Sequence, residues 1–368
     1  MSAPLFSWLI EPLPLDVQQS VERLRQAPDV VHVALMPDVH LSRDVCVGTV
    51  LATTHTLYPA AIGSDIGCGV ATVRVSDNPR SLDDEHIAAT VLHSLYERVP
   101  AIRHRQPREL PAGLERALSS ESLTRRLHRE ARAQFATLGS GNHFLEFQAA
   151  DDGLWIMVHS GSRSMGESIR DWHLRESSSG LAGLEDDSAH GQAYLQDMAW
   201  ALDYAKASRR GMLEAAANAF SDVAVAQPQW DSLVDCHHNA VAREEHFGQR
   251  LWVHRKGAIA AHRDEPGLIP GSMGAPSFHV HGRGFEQALC SCSHGAGRRL
   301  SRTEARHMIS MGRFEEQMEG VWFDHRRARQ LIEEAPDAYK EIGQVMRAQH
   351  DLTKVVRKLR PVLSYKGR

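Results

Sequence analysis

The sequence predicts an α+β fold in a single large domain, and three observations lead to this prediction. Runs rich in β-branched residues, such as 30–35, alternate along the chain with segments of helical periodicity, such as 191–220. Motifs of polar residues and glycine are spread over the whole chain. Such motifs at strand ends commonly meet in one composite site. We therefore treat residues 1–368 as one catalytic unit rather than as separable modules.

Composition limits the classes of protein that need consideration. The 368 residues include 42 Lys and Arg against 46 Asp and Glu, a net charge of −4 with histidine neutral, so a protein that coats nucleic acid through bulk positive charge is disfavoured. No apolar stretch reaches the ~18 residues of a membrane span, and the N-terminus lacks the basic start of a signal peptide. We expect a cytoplasmic protein, and its odd number of cysteines, 5, fits reduced thiols.

The elements are predicted from periodicity and from turn residues. We expect strands at 30–35, 48–54, 155–159 and 250–255, and helices over 83–135 and 191–220, with a surface loop at 177–180. A helical surface segment is expected over about 165–235. The last third alternates glycine-rich turns with charged helices, and the basic run after Asp351 is expected to be a solvated helix face.

A carboxylate and a thiol lie three positions apart in the glycine-rich segment 63–69 (GSDIGCG). The flanking glycines let the backbone aim Asp65 and Cys68 at one point, where they could share a divalent metal. The alternative is a buried structural cysteine beside a turn-capping aspartate. Three histidines in turns rich in Gly, Ser and Asn extend this set: His143, His159 and His238.

Thiolate, imidazole and carboxylate together suit Zn, Mn, Fe or Co, and ligand type does not choose among these metals. Five ligands would suit two metals that share one bridging group, an arrangement used for in-line displacement at phosphorus.

Two glycine-rich turns, 270–274 (PGSMG) and 293–298 (SHGAGR), predict a phosphate site. Successive backbone N–H groups in such turns cradle phosphate oxygens, and Ser272 and Arg298 could add donors. His294 could act as a nucleophile toward phosphorus, although a tight loop with a structural histidine is the alternative. No Gly-Lys dipeptide is present, which excludes a P-loop, and Lys256 lacks the sequence context of lysine-adenylating ligases.

Eight motifs, taken in order, resemble the RtcB family of GTP-dependent RNA-splicing and repair ligases. They are DVH (38–40), DIGCG (65–69), GSGNHF (139–144), HSGSR (159–163), HN (238–239), RKGA (255–258), PGSMG (270–274) and SHGAGR (293–298). The chain departs from the family at 41–44 (LSRD), where glycines are usual, and this segment is expected to shape the RNA path. The resemblance implies an α+β fold of mixed β-sheets surrounded by helices, with a central metal and nucleotide cleft.

The resemblance also implies an activity. Such enzymes join RNA 2′,3′-cyclic phosphate or 3′-phosphate ends to 5′-hydroxyl ends, using GTP and Mn²⁺. One manganese would be held by Cys68, His143 and His159. The second would be held by Asp65, Cys68 and His238, with Cys68 as the bridge. His294 would attack the α-phosphate of GTP and carry GMP through a P–N bond.

The nucleotide and RNA contacts are likewise implied by resemblance. The residues expected at the nucleotide are Asn142, Glu146, His238, Asn239, Pro270, Gly271, Ser272, Met273, His294, Gly295, Ala296, Gly297, Tyr339 and Lys366. Among them Glu146 would read the guanine edge, while Arg163 and Arg298 would hold RNA phosphates. The basic tail after Asp351, if it is more than a solvated helix face, would help them to hold the RNA strands. The expected partners are GTP and RNA with the ends named above, on a monomeric protein without membrane contact; a helper protein that stimulates guanylation is left open.

Two other functions compete with ligation. A metal-dependent RNA cyclic phosphodiesterase or phosphatase would not need His294 and its glycine turn. A non-catalytic RNA end-binding protein of the same fold would need neither the metal set nor this histidine.

Overall fold

Two β-sheets position the functional residues in the computed structural model, which describes residues 2–76, 79–177, 180–224 and 226–367. The strands are β1 (Leu5–Ser7), β2 (Val30–His40), β3 (Val47–Thr53), β4 (Thr56–Leu57), β5 (Gly69–Val75), β6 (Phe144–Ala150), β7 (Gly153–Ser160), β8 (Leu184–Glu185), β9 (Pro228–His237), β10 (Asn239–His246), β11 (Gln249–Lys256), β12 (Ala258–Ala260), β13 (Pro266–Ile269), β14 (Ser277–Gly282), β15 (Ser291–Ser293) and β16 (Thr353–Lys366).

The five-stranded sheet has the order β1-β2-β3-β11-β10, and the seven-stranded sheet has the order β13-β14-β16-β6-β7-β5-β9. β1 runs parallel to β2, whereas β2, β3, β11 and β10 pair antiparallel, so this sheet is mixed. Two short pairs, β4 with β8 and β12 with β15, complete the strands. The predicted α+β fold with mixed sheets is confirmed.

Helices surround the sheets and connect their strands. They are α1 (Leu15–Arg25), α2 (Glu85–Arg98), α3 (Glu121–Arg126), α4 (Arg132–Gln134), α5 (Ser164–Leu174), α6 (Ala189–Ser221), α7 (Arg302–Met308), α8 (Met311–Gln317), α9 (Ala328–Leu331) and α10 (Ile342–Ala348). No helix among the described residues is long and apolar enough to cross a membrane.

The largest hydrophobic core lies between α6 and one face of the seven-stranded sheet. α6 buries Trp200, Tyr204 and Phe220, and the Phe220 ring lies 5.4 Å from the Phe147 ring of β6. Each fully buried side chain of this size contributes about 1.5–3 kcal/mol through removal of apolar surface from water. This packing fixes α6 against the strands that carry the candidate site.

Four predicted metal ligands meet at one edge of the seven-stranded sheet. Cys68 and His143 immediately precede β5 and β6, whereas His159 lies near the end of β7 and His238 follows β9. These strands are antiparallel neighbours, so the first residues of β5 and β6 pair with the last residues of β7. The prediction that polar motifs at strand ends converge is confirmed.

The predicted strands all correspond to observed strands: β2, β3, β7 and β11. The predicted helix over 191–220 is α6. The predicted helix over 83–135 is only partly correct, because 99–120 contains no helix. Pro100, Pro107 and Pro111 lack the N–H that a helix interior requires. The predicted loop at 177–180 includes residues 178 and 179, which lie outside the described residues.

The prediction of a helical surface segment over about 165–235 is wrong in two respects. α6 is a core helix rather than a surface helix, with apolar residues around much of its circumference. The C-terminal part of the predicted segment is not helical, because β9 begins at Pro228 and pairs with β5.

The basic C-terminal run is a strand and not a solvated helix face. β16 lies inside the seven-stranded sheet, between β14 and β6. Val355 and Val356 favour extended backbone, and Leu359 and Leu363 are fully buried. Pro361, which cannot donate to the ladder, lies where the register shifts in a β-bulge. This strand delivers its last residues to the candidate site.

Candidate active site

A cavity of 410 Å³ opens where the edges of the two sheets meet the turns around β15. It is lined by all but one of the residues predicted for the site: Asp65, Cys68, Asn142, His143, Glu146, His159, His238, Asn239, Pro270, Gly271, Ser272, Met273, His294, Gly295, Ala296, Gly297, Arg298, Tyr339 and Lys366. Leu41 and Ser42, from the segment that departs from the family pattern, also line it. Arg163 does not.

Three of the predicted ligands form a compact group at the floor of the cavity. The Sγ atom of Cys68 lies 3.4 Å from Nε2 of His143 and 3.3 Å from Nε2 of His159. One ligand atom from each of the three residues lies within 4.8 Å of the others, and all three residues are buried. Thiolate and imidazole at these separations fit a divalent transition metal.

The remaining two predicted ligands lie directly beside this group. Oδ2 of Asp65 is 3.1 Å from Nε2 of His143, and the His238 ring is centred 5.1 Å from the His159 ring. Within the described part of the chain, Oδ1 of Asp65 and Nδ1 of His238 are buried without a hydrogen-bond partner. Because buried polar atoms are normally paired, these two atoms fit ligands of a second cation.

The turn after β7 allows this close approach. A Cβ atom at Gly161 would overlap the carboxylate of Asp65, so only glycine leaves room for that side chain. The glycines around the histidines are therefore part of how the site is assembled.

Burial and neighbouring charges set the protonation states of these groups. Burial and the nearby imidazoles lower the pKa of His159 and His238 well below the usual value, so both rings are neutral at physiological pH. Burial raises the pKa of Asp65, but the hydrogen bond and charge of His143 outweigh it and leave the pKa lowered. Burial and then Asp65 raise the pKa of Cys68 well above the usual value, so metal binding there releases a proton.

The His294 ring extends the row of imidazole rings that begins at the compact group of Cys68, His143 and His159. It is centred 4.7 Å from the His238 ring. Nδ1 of His294 lies 2.6 Å from Oδ2 of Asp38, which also accepts the backbone N–H of His294 at 3.2 Å. Asp38 is fully buried. A carboxylate at Nδ1 fixes the tautomer that leaves Nε2 unprotonated and available as a nucleophile.

Gly297 lets the backbone of the turn approach Asp38 closely. Its φ of +74° is unfavourable for other residues, and a Cβ there would come within 2.9 Å of Cα of Asp38. The glycine-rich turn therefore serves the contact between His294 and Asp38 as well as exposing backbone N–H groups.

A buried carboxylate lies deeper in the cavity. Glu146, on β6, accepts hydrogen bonds from Nε2 of Gln148 at 2.8 Å and from Oγ of Ser364 at 3.0 Å. Burial raises its pKa to about 7, against the opposing effects of Gln148 and of the Lys366 charge. Each carboxylate oxygen has a second lone pair that can accept another donor.

Lys366, Tyr339 and Arg298 converge on one carboxylate at the cavity wall. Oε2 of Glu334 accepts from Nζ of Lys366 at 2.8 Å and from the Tyr339 hydroxyl at 2.6 Å. Nη1 of Arg298 lies 3.2 Å from Oε1 of the same residue. This network holds the two predicted nucleotide contacts, Tyr339 and Lys366, at the wall.

The two predicted RNA contacts have different surroundings from those expected. Arg298 reaches the cavity wall, but its guanidinium also donates to the carbonyls of Leu300 and Glu333, so its donors are already engaged. Arg163 lies outside the cavity wall, behind His143, with Nη1 3.5 Å from Nδ1 of that ring. Its charge lowers the pKa of Asp65 and opposes the rise in the pKa of Cys68, and its contact with RNA phosphate stays a prediction.

Arg209 supports the group of Cys68, His143 and His159 from the core, and the sequence did not indicate this role. Its Nη1 donates to the carbonyls of Gly67 at 2.7 Å and Ser160 at 2.9 Å, the residues next to Cys68 and His159. Its Nη2 lies 2.6 Å from Oδ1 of Asp235.

Replacing Arg209 by methionine is expected to destabilise the protein, because it leaves Asp235 as an unpaired buried charge. Breaking a buried pair in this way costs about 3–5 kcal/mol. Denaturant unfolding measures the loss. Arg125→Met, which removes an exposed pair with Glu121, serves as the control and should cost about 0.5 kcal/mol or less. An equal, small effect of both substitutions would contradict a structural role for Arg209.

Four residues that support the site had no predicted role: Asp38, Glu334, Lys256 and Arg209. Asp38 lies in the motif DVH (38–40). Its partner His294 is 256 positions away in the chain, so the motif alone did not indicate their contact. Lys256 lines the cavity and donates to the carbonyls of Arg43 and Val45 rather than standing free. No local signal marks the other two.

Comparison with known proteins places the chain in a family. The model of the family described as tRNA-splicing ligase RtcB matches residues 20–125 and 111–367. The RNA-splicing ligase RtcB of Escherichia coli K12 is 36% identical across 100% of this chain and 98% of its own length. The RNA-splicing ligase RtcB of Mycobacterium tuberculosis is 30% identical across 90% and 96%, and the tRNA-splicing ligase RtcB of Methanococcus maripaludis is 26% identical across 98% and 93%. The chain belongs to the RtcB family.

Proposed function

We propose that this protein is an RNA ligase that joins a 2′,3′-cyclic phosphate or 3′-phosphate end to a 5′-hydroxyl end, using GTP and Mn²⁺. The observation that carries the proposal is His294, held through Nδ1 by Asp38 at 2.6 Å and placed beside the Cys68, His143 and His159 group. A nucleophile next to a cation site in a cavity lined by glycine turns suits nucleotidyl transfer.

The chemistry begins at Nε2 of His294. This atom attacks the α-phosphorus of GTP, a P–N bond forms and the bond to the pyrophosphate oxygen breaks. An oxygen of the RNA 3′-phosphate then attacks the guanylate, so the P–N bond breaks and His294 is restored. The 5′-hydroxyl of the second RNA end next attacks the activated 3′-phosphate, loses its proton and displaces GMP to form the phosphodiester. Cyclic phosphate ends are first opened by water to the 3′-phosphate.

Cations at the ligand positions would offset the negative charge on the transferring phosphoryl group. Cys68, His143 and His159 would hold one Mn²⁺, and Asp65, Cys68 and His238 would hold the other. The backbone N–H groups of the turns at 270–274 and 293–298 would orient the phosphates. Asn142, Asn239 and Ser272, which line the same cavity, would contact the nucleotide.

Replacing Asp38 by asparagine is expected to slow formation of the protein–GMP adduct by roughly 10⁴-fold, as the same substitution beside a catalytic histidine does elsewhere. Asparagine keeps the volume but can donate to Nδ1, which favours the tautomer with the proton on Nε2. Rapid-quench labelling with α-labelled GTP gives the rate, and Mn²⁺ binding should be unchanged. A wild-type labelling rate would contradict the positioning role of Asp38.

Glu146 would distinguish guanine from adenine, because a carboxylate accepts the N1–H and N2–H donors that adenine lacks. Glu146→Gln should reduce the preference for GTP over ATP by about thirtyfold, equivalent to about 2 kcal/mol for hydrogen bonds to a charged group. Because the pKa of Glu146 is about 7, protonation at lower pH removes an acceptor, so GTP labelling should weaken as pH falls through this value. A preference for GTP that is independent of pH and of this substitution would contradict the assignment.

A ligation assay tests the function as a whole. An RNA with a 3′-phosphate and an RNA with a 5′-hydroxyl are incubated with the protein, Mn²⁺ and GTP, and the joined product is resolved by gel electrophoresis. We expect joining with GTP and none without nucleotide. Removal of the phosphate without joining would instead support the phosphatase alternative, and RNA binding without any chemical change would support the non-catalytic alternative.

A further inference from the structure

A lysine outside the active-site cavity contacts the segment that carries Asp38. The side chain of Lys340 is only 8% exposed. Its Nζ atom donates to the carbonyl oxygen of Pro37 at 3.1 Å and to that of Val39 at 2.9 Å. These are the residues on either side of Asp38, so one side chain holds the backbone before and after the carboxylate that contacts His294.

The backbone of Lys340 contacts the turn that carries His294. Its N–H donates to the carbonyl oxygen of Gly297 at 2.9 Å, and the N–H of Arg299 donates to the carbonyl oxygen of Ala338 at 2.9 Å. Segment 338–340 therefore pairs with segment 297–299. Lys340 thus joins both halves of the pair of Asp38 and His294, through its side chain on one half and its backbone on the other.

The segment around Asp38 needs such a contact, because its pairing with the neighbouring strand β3 is interrupted. Leu35 lies opposite Thr49 and His40 lies opposite Val47, and the register shifts between these two pairs. Residues 36–39 consequently bulge out of the ladder between β2 and β3. Buried carbonyl groups require hydrogen-bond donors, and Lys340 supplies them to two of the carbonyl groups in this bulge.

The position of the Asp38 carboxylate depends on this backbone. Its Oδ2 atom accepts from the ring and from the backbone N–H of His294, whereas Oδ1 is buried without a hydrogen-bond partner among the described residues. A shift of the bulge would therefore move the carboxylate away from Nδ1 of His294. Burial lowers the pKa of Lys340, and the charges of Asp38 and Glu11 oppose this effect, so the ammonium group and the carboxylate also stabilise each other.

We propose that Lys340 is a positioning residue for nucleotidyl transfer: by holding the carbonyl groups on both sides of Asp38, it keeps the carboxylate at Nδ1 of His294. This inference rests on the proposed function, because the task of the pair is to present Nε2 of His294 to GTP. Lys340 is not among the residues that line the active-site cavity, so it acts through Asp38, whose hydrogen bond selects the tautomer of the ring.

Replacing Lys340 by methionine removes the donors and keeps a side chain of similar length. We expect formation of the protein–GMP adduct to slow by about 100-fold, the cost of misplacing a catalytic group by about 1 Å. The GTP concentration that gives half the maximal rate and the Mn²⁺ affinity should be unchanged. Lys340→Gln, which is too short to reach both carbonyl oxygens, is measured in parallel and should give the same result.

Glu11→Gln is the matched control, because it removes the ion pair of 3.7 Å with Nζ of Lys340 and leaves both carbonyl contacts in place. It should label at the wild-type rate. A folded Lys340→Met or Lys340→Gln protein that also labels at the wild-type rate would overturn the proposal.

Combination with Asp38→Asn separates positioning from general damage to the structure. Once the carboxylate is absent, Lys340 has nothing to position, so Lys340→Met should slow the Asp38→Asn protein further by no more than about threefold. Equal fold losses in the two backgrounds would instead show that Lys340 acts independently of Asp38, and the proposal would fail.

Nuclear magnetic resonance of the ¹⁵N-labelled imidazoles tests the same proposal without any nucleotide. In protein free of Mn²⁺, at a pH where the His294 ring is neutral, we expect the proton on Nδ1 in the wild type and a mixture of both tautomers in Lys340→Met. His294→Ala identifies the signals. Identical His294 signals in the two folded proteins would overturn the role of Lys340. Because no GTP is needed, this comparison decides the role of Lys340 even if the wild type forms no adduct.

Discussion

Replacing Cys68 by alanine is expected to weaken Mn²⁺ binding at both proposed positions. Its sulfur lies within 3.4 Å of the imidazoles of His143 and His159, and Asp65 stands beside the same group. As the proposed bridge, it is the residue whose loss affects both cations. Loss of a partner outside the ligand shell already costs about 10- to 100-fold in affinity, so we expect a loss above about 100-fold.

Isothermal titration of the protein with Mn²⁺ measures this effect. The matched control is Cys46→Ala, since Cys46 is also a buried free thiol but lies in the small core beneath α1. That variant should bind the metal as the wild type does. Equal Mn²⁺ affinity of the Cys68 variant and the wild type would contradict the metal assignment, whatever the activity of either protein.

Replacing His294 by alanine is expected to remove formation of the protein–GMP adduct, with a fall of about 10⁶-fold in rate, as for other enzymes that lose a covalent nucleophile. The neighbouring His238 ring is buried and, in the proposal, coordinates a metal ion, so it cannot replace His294 as the nucleophile. Metal binding should persist, because His294 lies beyond the ligand group in the row of imidazoles. Labelling with α-labelled GTP and titration with Mn²⁺ are measured on the same preparation.

His350→Ala serves as the control for this substitution, since His350 is an exposed histidine after α10. It should label at the wild-type rate. Retained labelling of the His294 variant would show that another residue is the nucleophile. Simultaneous loss of labelling and of Mn²⁺ binding would show that His294 contributes to the metal site itself.

The proximity of the proposed ligand residues could be predicted from the sequence, because each stands in a local motif of glycine and polar residues. Cys68, His143, His159 and His238 lie at strand ends, and Asp65 lies in the turn that leads into β5. Antiparallel pairing then brings the strand ends together. The prediction needed only that these strands be neighbours in one sheet, which the order β6-β7-β5-β9 provides.

The supporting contacts could not be predicted, because they depend on tertiary packing between distant segments. Asp38 meets His294 only after the turn at 293–298 folds against β2. Arg209 resembles any other basic residue of a long helix until α6 is packed against the sheet. The motif suggests that Arg298 is free to contact phosphate. Its guanidinium instead pairs with Glu334, 36 positions away.

The C-terminal strand illustrates a misinterpreted pattern. Six basic residues without an acid after Asp351 indicate a solvated helix face by charge alone. The β-branched residues between them and the neighbouring strands β14 and β6 decide otherwise. This change has a functional consequence, because pairing of β16 with β6 brings Lys366 opposite Phe144, next to His143.

The most direct test of the proposed mechanism is the location and chemistry of a nucleotide adduct on the wild-type protein. Mn²⁺-loaded protein is incubated with α-labelled GTP, and the labelled peptide is identified after digestion. We expect an acid-labile, alkali-stable GMP adduct on the peptide that contains residues 291–298, attached at His294. The absence of an adduct on metal-loaded protein, or a label on Lys256, would contradict it.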